Sequence, residues 1–466
     1  MALTDKLVAI ADAIREKDGS TGTMTLAEMP GRIAAIETGG GGGTSDPTDP
    51  VEVYNTTRPS DWLPMPTPAE NELYLLFHIP DGFSSLLAFT VTCTGNYTVA
   101  LGSVSDGAFV QMSSTSVASG SKYEAELFAD DYGNLTSDGM KQVMVKVSGT
   151  DILTWAPSTH SKKTSPSNFA GWNIVEIACN IPSGTRVACG SSTGNASLKK
   201  LRYFAWYGKN AVTDMSNMFN GCCSLTAIPQ LDTSAVTDMS NMFNGCYSLT
   251  AIPQLDTSAV TNMYGMFYSC YSLTAIPQLD TSAVTNMRYM FYACYSLTTI
   301  PQLDTSAVTN MYGMFYSCYS LTAIPQLDTS AVTDMSNMFN GCYSLTAIPQ
   351  MDTSAVTNMR NMFNRCFVLT SIPALDTSIA TNMSNMFIYC YSLTAIAFNG
   401  SVTGWAGYAV SLQDCSLSHA AIVAFFNSLP TITSAKAITL TGNPGVSELT
   451  DAEKAIATGK GWTLTL

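Results

Sequence analysis

One 24-residue phrase restarts at Met215, Met239, Met263, Met287, Met311, Met335, Met359 and Met383, and no insertion or deletion breaks its spacing. A fixed period of this length is the signature of a solenoid, in which each repeat forms one coil. A single coil cannot bury its own apolar side, so neighbouring coils must stack. The region from about residue 201 to 396 is therefore expected to be a repetitive scaffold of eight coils.

Within one phrase the residues divide by role. Met215, Met218, Phe219, Cys222, Leu225, Ile228 and Val236 are apolar and recur through the array. The Met-x-x-Met-Phe-x-x-Cys portion has three/four spacing, which predicts a short helix or 3₁₀ turn. Leu225-Thr-Ala-Ile228-Pro predicts a short strand ended by the proline, stacked in parallel from coil to coil. Asp232-Thr-Ser predicts a turn in which the carboxylate accepts backbone amides. The same Asp position cannot by itself serve calcium, because one carboxylate per coil falls far short of the six to eight oxygens that ion takes.

Eight of the thirteen cysteines (Cys222, Cys246, Cys270, Cys294, Cys318, Cys342, Cys366 and Cys390) occupy one repeat position, and no C-x-x-C pair exists. A zinc site thus has no support. A ladder of buried free thiols is expected, since cysteine packs as a small apolar group. The next residue (Tyr247, Tyr271, Tyr295, Tyr319, Tyr343, Phe367, Tyr391) predicts a second ladder of stacked, half-buried rings.

Specificity must reside where the phrase varies. The pair between the two methionines changes from Ser216-Asn217 to Tyr264-Gly265, Arg288-Tyr289, Tyr312-Gly313 and Arg360-Asn361, and the pair after Phe changes from Asn220-Gly221 to Tyr268-Ser269, Tyr292-Ala293, Tyr316-Ser317 and Asn364-Arg365. Varying positions of a solenoid are expected to face solvent, because the core must repeat. Tyr, Ser, Gly, Asn and Arg are also the residues of antibody contact loops, where rigid aromatics give contact area at little entropic cost. Tyr264, Tyr268, Arg288, Tyr289, Tyr292, Tyr312 and Tyr316, with Arg360 and Arg365, form the candidate ligand-binding set. The bland alternative is drift of exposed positions in a spacer.

The rest of the chain is organised around this array. Residues 1–38 read as two short amphipathic helices: Leu3, Leu7, Ile10 and Ile14 mark the first, and Leu26, Met29 and Ile33 the second. They are too small to form a core alone, so self-association or docking on a partner is expected. The Leu3/Leu7/Ile10/Ile14 stripe is compatible with a homotrimer. Residues 39–50, opening with Gly39 to Gly43, make a flexible linker. Residues 51–200 show short strand-like runs (73–79, 87–93, 97–101, 143–147 and two within 173–189) separated by turn residues, which predicts an antiparallel β-sandwich-like domain. That domain serves as a spacer or a second binding module. Leu201-Arg-Tyr-Phe-Ala-Trp-Tyr207 is expected to close it or to cap the first coil. Residues 397–466 predict an α/β C-terminal cap, with helices at 418–429 and 450–458 and strands at 437–441 and 461–466.

Two segments resemble known families. Leu3-Thr-Asp-Lys-Leu-Val-Ala-Ile-Ala-Asp-Ala-Ile14 followed by Met24-Thr-Leu-Ala-Glu-Met29-Pro-Gly-Arg-Ile33 resembles N-terminal segments of bacteriophage and prophage tail proteins. The resemblance implies attachment to a tail or baseplate through the N-terminus. Met-Phe-x-x-Cys-x-Ser-Leu-Thr-x-Ile resembles the BspA-type leucine-rich repeat found in bacterial surface and phage-encoded proteins, and implies a leucine-rich-repeat solenoid.

Composition narrows the function classes. Lys+Arg 21 against Asp+Glu 35 gives a net charge of −14, with no basic cluster, which argues against nucleic acid as a partner. No apolar run is long enough to cross a membrane and the first 20 residues lack an apolar signal core, so neither a membrane span nor the general export route is expected. No catalytic set emerges. His78, His160 and His419 lie in separate segments. Gly190-Ser-Ser192-Thr-Gly194 lacks the strand-to-helix setting of a nucleophile elbow and reads as a small-residue turn. No cofactor and no metal are expected. With the tail-protein resemblance of the N-terminal segment, these absences imply a non-enzymatic phage tail fibre or receptor-binding protein of the virion, made in the host cytoplasm. Its N-terminus would dock on other tail proteins and its solenoid on a host-surface glycan or protein. A bacterial cell-surface adhesin and a non-binding virion spacer are the alternatives.

Overall fold

A computed structural model describes residues 59–133, 135–158, 173–190, 198–208, 210–396, 398–399 and 408–466. The expected N-terminal helices, their docking residues (Leu3, Leu7, Ile10, Ile14, Leu26, Met29, Ile33) and the glycine linker lie outside them. The chain forms two units, Thr44–Val260 and Thr261–Leu466.

The first unit opens with an eight-stranded sheet: β1 (Glu72–Pro80), β2 (Ser84–Ser105), β3 (Ala108–Ala118), β4 (Lys122–Phe128), β5 (Met140–Pro157), β6 (Ile174–Asn180), β7 (Arg186–Val187) and β8 (Tyr203–Trp206). Two long strands, β2 and β5, pass between two sub-sheets. The first half of β2 pairs with β4 and with the end of β5, and its second half pairs with β3 and the start of β5. The larger sub-sheet runs β3-β2-β5-β1-β6-β8. This is the sandwich-like arrangement in which corners are made by strands that switch sheets through bulges. The two expected runs at 87–93 and 97–101 are one strand, because Gly95 and its neighbours form a bulge in β2 and not a turn; the register shifts on either side of Thr94. β1 is buried on both faces. Trp62, Leu63, Tyr74, Leu76, Met144 and Val175 cluster against one of them.

The first coil is built directly on this sheet. β8 pairs in parallel with β6, and Phe204 of β8 meets Phe219 edge to face at 5.1 Å. The N–H groups of Cys189 and Gly190 both donate to Met218 O, at 2.6 and 3.0 Å. A Cβ at Gly190 would lie 2.2 Å from Asn220 O, so only glycine permits this approach.

The coils differ from the expected helix-plus-strand phrase. Taking the coil that begins at Met311, the N–H groups of Met311, Gly313, Phe315 and Ser317 donate to the carbonyls of Asp334, Ser336, Met338 and Asn340 in the next coil. The alternate N–H groups of Met314, Tyr316 and Cys318 close i→i+3 turns within the coil, onto Met311, Gly313 and Phe315. Two residues per coil sit in the left-handed region, here Gly313 (φ 59°) and Ser317 (φ 57°). A left-handed residue every fourth position rules out a right-handed helix of either pitch. The three/four apolar spacing is instead that of consecutive turns. The Leu-Thr-x-Ile stretch carries no strand either; its inter-coil bonds are single ones such as Thr322 N to Thr298 O at 3.2 Å. The parallel bridges lie just before each first methionine, along Asn286, Asn310, Asp334, Asn358 and Asn382.

The repeated apolar residues form the core. Met311, Met314, Phe315, Cys318, Leu321 and Val332 are wholly buried, and a side chain of this size contributes about 1.5–3 kcal/mol by leaving water. Phe267, Phe291, Phe315, Phe339, Phe363 and Phe387 stack in series, with centroids 5.6 to 5.8 Å apart. All thirteen cysteines are free thiols. Cys246, Cys294, Cys318, Cys342, Cys366 and Cys390 each donate Sγ back to the Phe carbonyl of the preceding coil, as from Cys318 to Phe291 O at 3.0 Å, while Cys222 in the first coil donates to Cys189 O. Burial pushes the Cys318 thiol up, which keeps it neutral and unreactive.

On another side of the coil the Asp-Thr-Ser turn is formed as expected. Asp328 accepts from Ser330 N and Oγ, at 3.0 and 2.6 Å, and the hydroxyl bond first and the amide bond second hold its carboxyl below the usual range. The intervening threonine is a ladder not foreseen from the sequence: Thr281, Thr305, Thr329 and Thr353 are buried and donate to the Asp carbonyl of the next coil at 2.7 to 2.8 Å.

The C-terminal cap has the expected helices α1 (His419–Ser428) and α2 (Asp451–Thr458) and strands β10 (Lys436–Thr439) and β11 (Trp462–Thr465), with one further short strand, β9 (Val410–Ser411). The three strands make a parallel sheet β9-β10-β11. Helix α2 begins with a complete capping box between Thr450 and Glu453. Ser416 N donates to Leu393 O, and Cys415 Sγ to Phe387 O, so the cap closes the last coil.

Candidate functional site

The varying positions do not all face solvent, and this corrects the expectation drawn from the sequence. The second member of each varying pair is the left-handed residue: Asn217, Asn241, Gly265, Tyr289, Gly313, Asn337, Asn361 and Asn385 in one series, and Gly221, Gly245, Ser269, Ala293, Ser317, Gly341, Arg365 and Tyr389 in the other. Asn and Gly predominate in the first series because they tolerate that backbone, not because they contact a ligand. Ser269, Ala293, Ser336 and Asn340 are buried. What varies freely is mainly the first member of each pair.

Six first members (Tyr264, Tyr268, Arg288, Tyr292, Tyr312 and Tyr316) assemble around one second member, Tyr289. Tyr268, Tyr292 and Tyr316 stack with centroids 4.3 and 4.7 Å apart. Tyr289 meets Tyr264, Tyr268, Tyr292 and Tyr312 edge to face at 5.8, 6.0, 5.6 and 4.9 Å. The Arg288 guanidinium lies 5.4 Å from the Tyr312 ring centre and 5.9 Å from that of Tyr289, within cation–π range. Its Nε is buried and has no hydrogen-bond partner. All seven residues of the Tyr/Arg set are therefore one contiguous cluster of partly buried side chains. Burial, ahead of every other cause, raises the Tyr268 and Tyr289 hydroxyls above their usual range, so both are neutral donors. Arg360 and Arg365 are exposed, and Arg365 borders the same cluster through a cavity shared with Tyr292 and Tyr316.

Tyr289 is the costly member. A bulky residue in the left-handed region is uncommon, and such backbone costs about 1–2 kcal/mol. Glycine on the neighbouring coils makes the room: a Cβ at Gly313 would fall 2.9 Å from Tyr289 Cδ1. The Arg288-Tyr289 and Tyr312-Gly313 pairs thus fit each other sterically.

The second ladder is more buried than expected at its centre. Tyr271, Tyr295, Tyr319, Tyr343, Phe367 and Tyr391 stack at 4.4 to 5.2 Å. Tyr319 is wholly buried and Tyr247 is exposed.

An open trough of about 850 Å³ lies along Gln302, Gln326, Asp304, Asp328 and Thr329. Its polar groups are already committed. Gln302 Nε2 donates to Gln326 O at 2.5 Å and Gln326 Nε2 to Gln350 O at 2.6 Å, while each aspartate holds its own turn. The larger volume is therefore the poorer site.

Among the described residues, His78 and His419 lie in separate settings. His78 is buried in the sheet, 3.0 Å from Gln142 Nε2, and burial lowers its pKa to about 4. His419 pairs with Glu453 at 3.1 Å. His160 and residues 191–197, with most of the Gly-x-Ser-x-Gly run, lie outside the described residues. Among the described residues no helix is long and apolar enough to cross a membrane.

Residues 198–299, 273–348 and 318–423 match the family model described as "Mycoplasma protein of unknown function, DUF285". No curated protein matches the chain. Among solved structures, a TLR13–ssRNA13 complex is 12% identical with a TM-score of 0.23, and the match covers 58% of this chain and 47% of that one. The plant peptide hormone receptor RGFR1 in complex with RGF2 is 10% identical with a TM-score of 0.19, covering 58% of this chain and 60% of that one. The chain thus spans about half to three-fifths of the length of these structures. Its repeats match that family model, and the repeat region is a solenoid of stacked 24-residue coils joined by inter-coil backbone bonds.

Proposed function

We propose that this protein is a non-catalytic adhesin that binds a cell-surface molecule through the Tyr/Arg face of its coils. The observation that carries the reading is the cluster around Tyr289, where one coil tolerates an unfavourable backbone and two others carry glycine at the matching position. Stacked tyrosines with neutral hydroxyls and a desolvated arginine are the composition of an interface centre. Arg288, Arg360 and Arg365 are the only basic residues between 210 and 396, and all three stand at varying positions. Replacing Tyr268, Tyr292 and Tyr316 together by Ser removes the stack without touching the buried Met/Phe/Cys core. Binding of the full chain to candidate host cells is expected to disappear while the far-ultraviolet spectrum stays the same; undiminished binding refutes the reading.

The finer reading makes the chain a tail fibre of a phage or prophage virion, held to other tail or baseplate proteins by residues 1–38. It rests on the sequence resemblance of that segment. Mass spectrometry of purified virions tests it separately, since absence of the chain from particles leaves the bacterial-surface form of the adhesin.

A further inference from the structure

The tyrosine stack Tyr268–Tyr292–Tyr316 ends abruptly, and a cavity of about 150 Å³ opens at its end. The next coil carries Asn340 where a fourth tyrosine would stand, so no ring follows Tyr316. The cavity runs between this stack and the parallel stack Tyr295–Tyr319–Tyr343. Its floor is kept low by Ala293, Ser317 and Gly341, all in the left-handed region. At Gly341 a Cβ would come within 3.2 Å of Ser317 Oγ. Arg365, exposed, stands at the far end.

We propose that this cavity is a subsite for one acidic monosaccharide unit of a surface glycan, a proposal that rests on the adhesin reading above. Each feature fits that ligand. The volume accommodates a single pyranose ring. The ring face of Tyr316 turned away from Tyr292 offers an aromatic surface for the C–H face of the sugar, while the Tyr316 hydroxyl, Ser317 and Asn340 supply hydroxyl partners. Arg365 supplies a planar cation for the carboxylate, in a repeat region otherwise short of positive charge. An extended peptide is disfavoured by the backbone. The N–H groups of Ala293, Ser317 and Gly341 are spent on Tyr316 O, Asn340 O and Asn364 O at 2.7, 2.7 and 2.8 Å, so the floor offers no free donors for strand addition.

The repeat itself provides the test. Asn340→Tyr continues a stack that three preceding coils already carry, so it fills the cavity with a side chain the fold accommodates at that position. Arg365→Asn removes the cation with a residue that tolerates the left-handed region. Full-length protein is titrated with D-glucuronate, N-acetylneuraminate and D-glucose, with saturation-transfer NMR as the readout. The wild type is expected to bind at least one of the two acidic sugars at millimolar concentration and glucose at least tenfold more weakly. Asn340→Tyr should abolish the signal and Arg365→Asn should weaken it at least tenfold. No transfer to either acidic sugar, equal binding of glucose, or wild-type binding by both variants overturns the proposal, as does displacement of nothing but an added tyrosine-containing peptide. If Asn340→Tyr keeps full cell binding while the triple Tyr→Ser variant loses it, the adhesin reading stands and this subsite falls.

Discussion

The buried threonine ladder offers a comparison in which one substitution at equivalent positions should act in opposite directions. Thr329 is 1% exposed, and its Oγ1 donates to Asp352 O at 2.7 Å. Thr233, at the same place in the first coil, is 2% exposed, but its Oγ1 has no partner. Valine keeps the shape of threonine and removes the hydroxyl. At Thr329 that deletes a hydrogen bond and leaves the Asp352 carbonyl without this donor, which costs about 0.5–1.5 kcal/mol. At Thr233 it removes a buried hydroxyl whose desolvation is uncompensated, so stability should hold or rise by up to about 1 kcal/mol. The chain has two units, and a single unfolding midpoint would mix them. Native-state hydrogen exchange read by mass spectrometry separates them. The amides to follow are Val332, bonded to Thr329 O, and Val236, bonded to Thr233 O, each at 3.0 Å. Faster exchange at Val332 in Thr329→Val, with unchanged or slower exchange at Val236 in Thr233→Val, is the expected pair. Equal losses at both sites would falsify the reasoning, because they would mean that shape and not the hydrogen bond decides.

Three further outcomes follow from other parts of the molecule. Burial lowers the His78 pKa to about 4, so between pH 6.5 and 4 the unfolded chain binds a proton that the folded one refuses. Stability of the sheet unit should therefore fall as pH drops through that window, by about 3 kcal/mol at most; His78→Gln, measured by urea unfolding at pH 7 and pH 4, should remove that part of the slope. The thirteen thiols are free and all but Cys223 are buried, so a chromogenic disulfide reagent should label at most one cysteine of the native protein, Cys223, and reductant should leave the melting temperature unchanged. Labelling of a repeat cysteine without denaturant contradicts the ladder. Gly190→Ala places a Cβ 2.2 Å from Asn220 O and should destabilise the first unit by about 1–3 kcal/mol, seen as a melting temperature lowered by several degrees.

Much of this architecture was legible in the sequence, and the parts that were not have a common cause. Period and polarity identify which residues repeat and which are apolar, so the core set, the free thiols, the stacked ring ladder, the Asp-Ser turns and the C-terminal cap could all be read. Neither identifies which backbone N–H groups leave the coil for its neighbour. Met-x-x-Met-Phe-x-x-Cys fits a helix by spacing alone, yet alternate amides there bond to the next coil, and Gly313 and Ser317 take left-handed backbone. A signal for this was present: Asn or Gly at the 217 position in every coil but one, with Gly at the 221 position in three coils, is the mark of a positive φ. Read instead as a contact palette, it hid the fact that half of the varying positions answer to the backbone. The burial of Thr233 and its equivalents is hidden in the sequence because a threonine beside a capping aspartate looks like part of an exposed turn. The Tyr289–Gly313 fit joins residues one coil apart, which no single phrase reveals.

The central claim is that binding resides on the Tyr/Arg face and not in the larger acidic trough. It is tested most directly by comparing two triple variants of the full chain for binding to the same host cells. Tyr268, Tyr292 and Tyr316 become Ser in one; Asp304, Asp328 and Asp352 become Asn in the other, which keeps the turn-capping oxygen. The account predicts that the tyrosine variant loses binding and the aspartate variant retains it. Loss in the aspartate variant with binding intact in the tyrosine variant would contradict it.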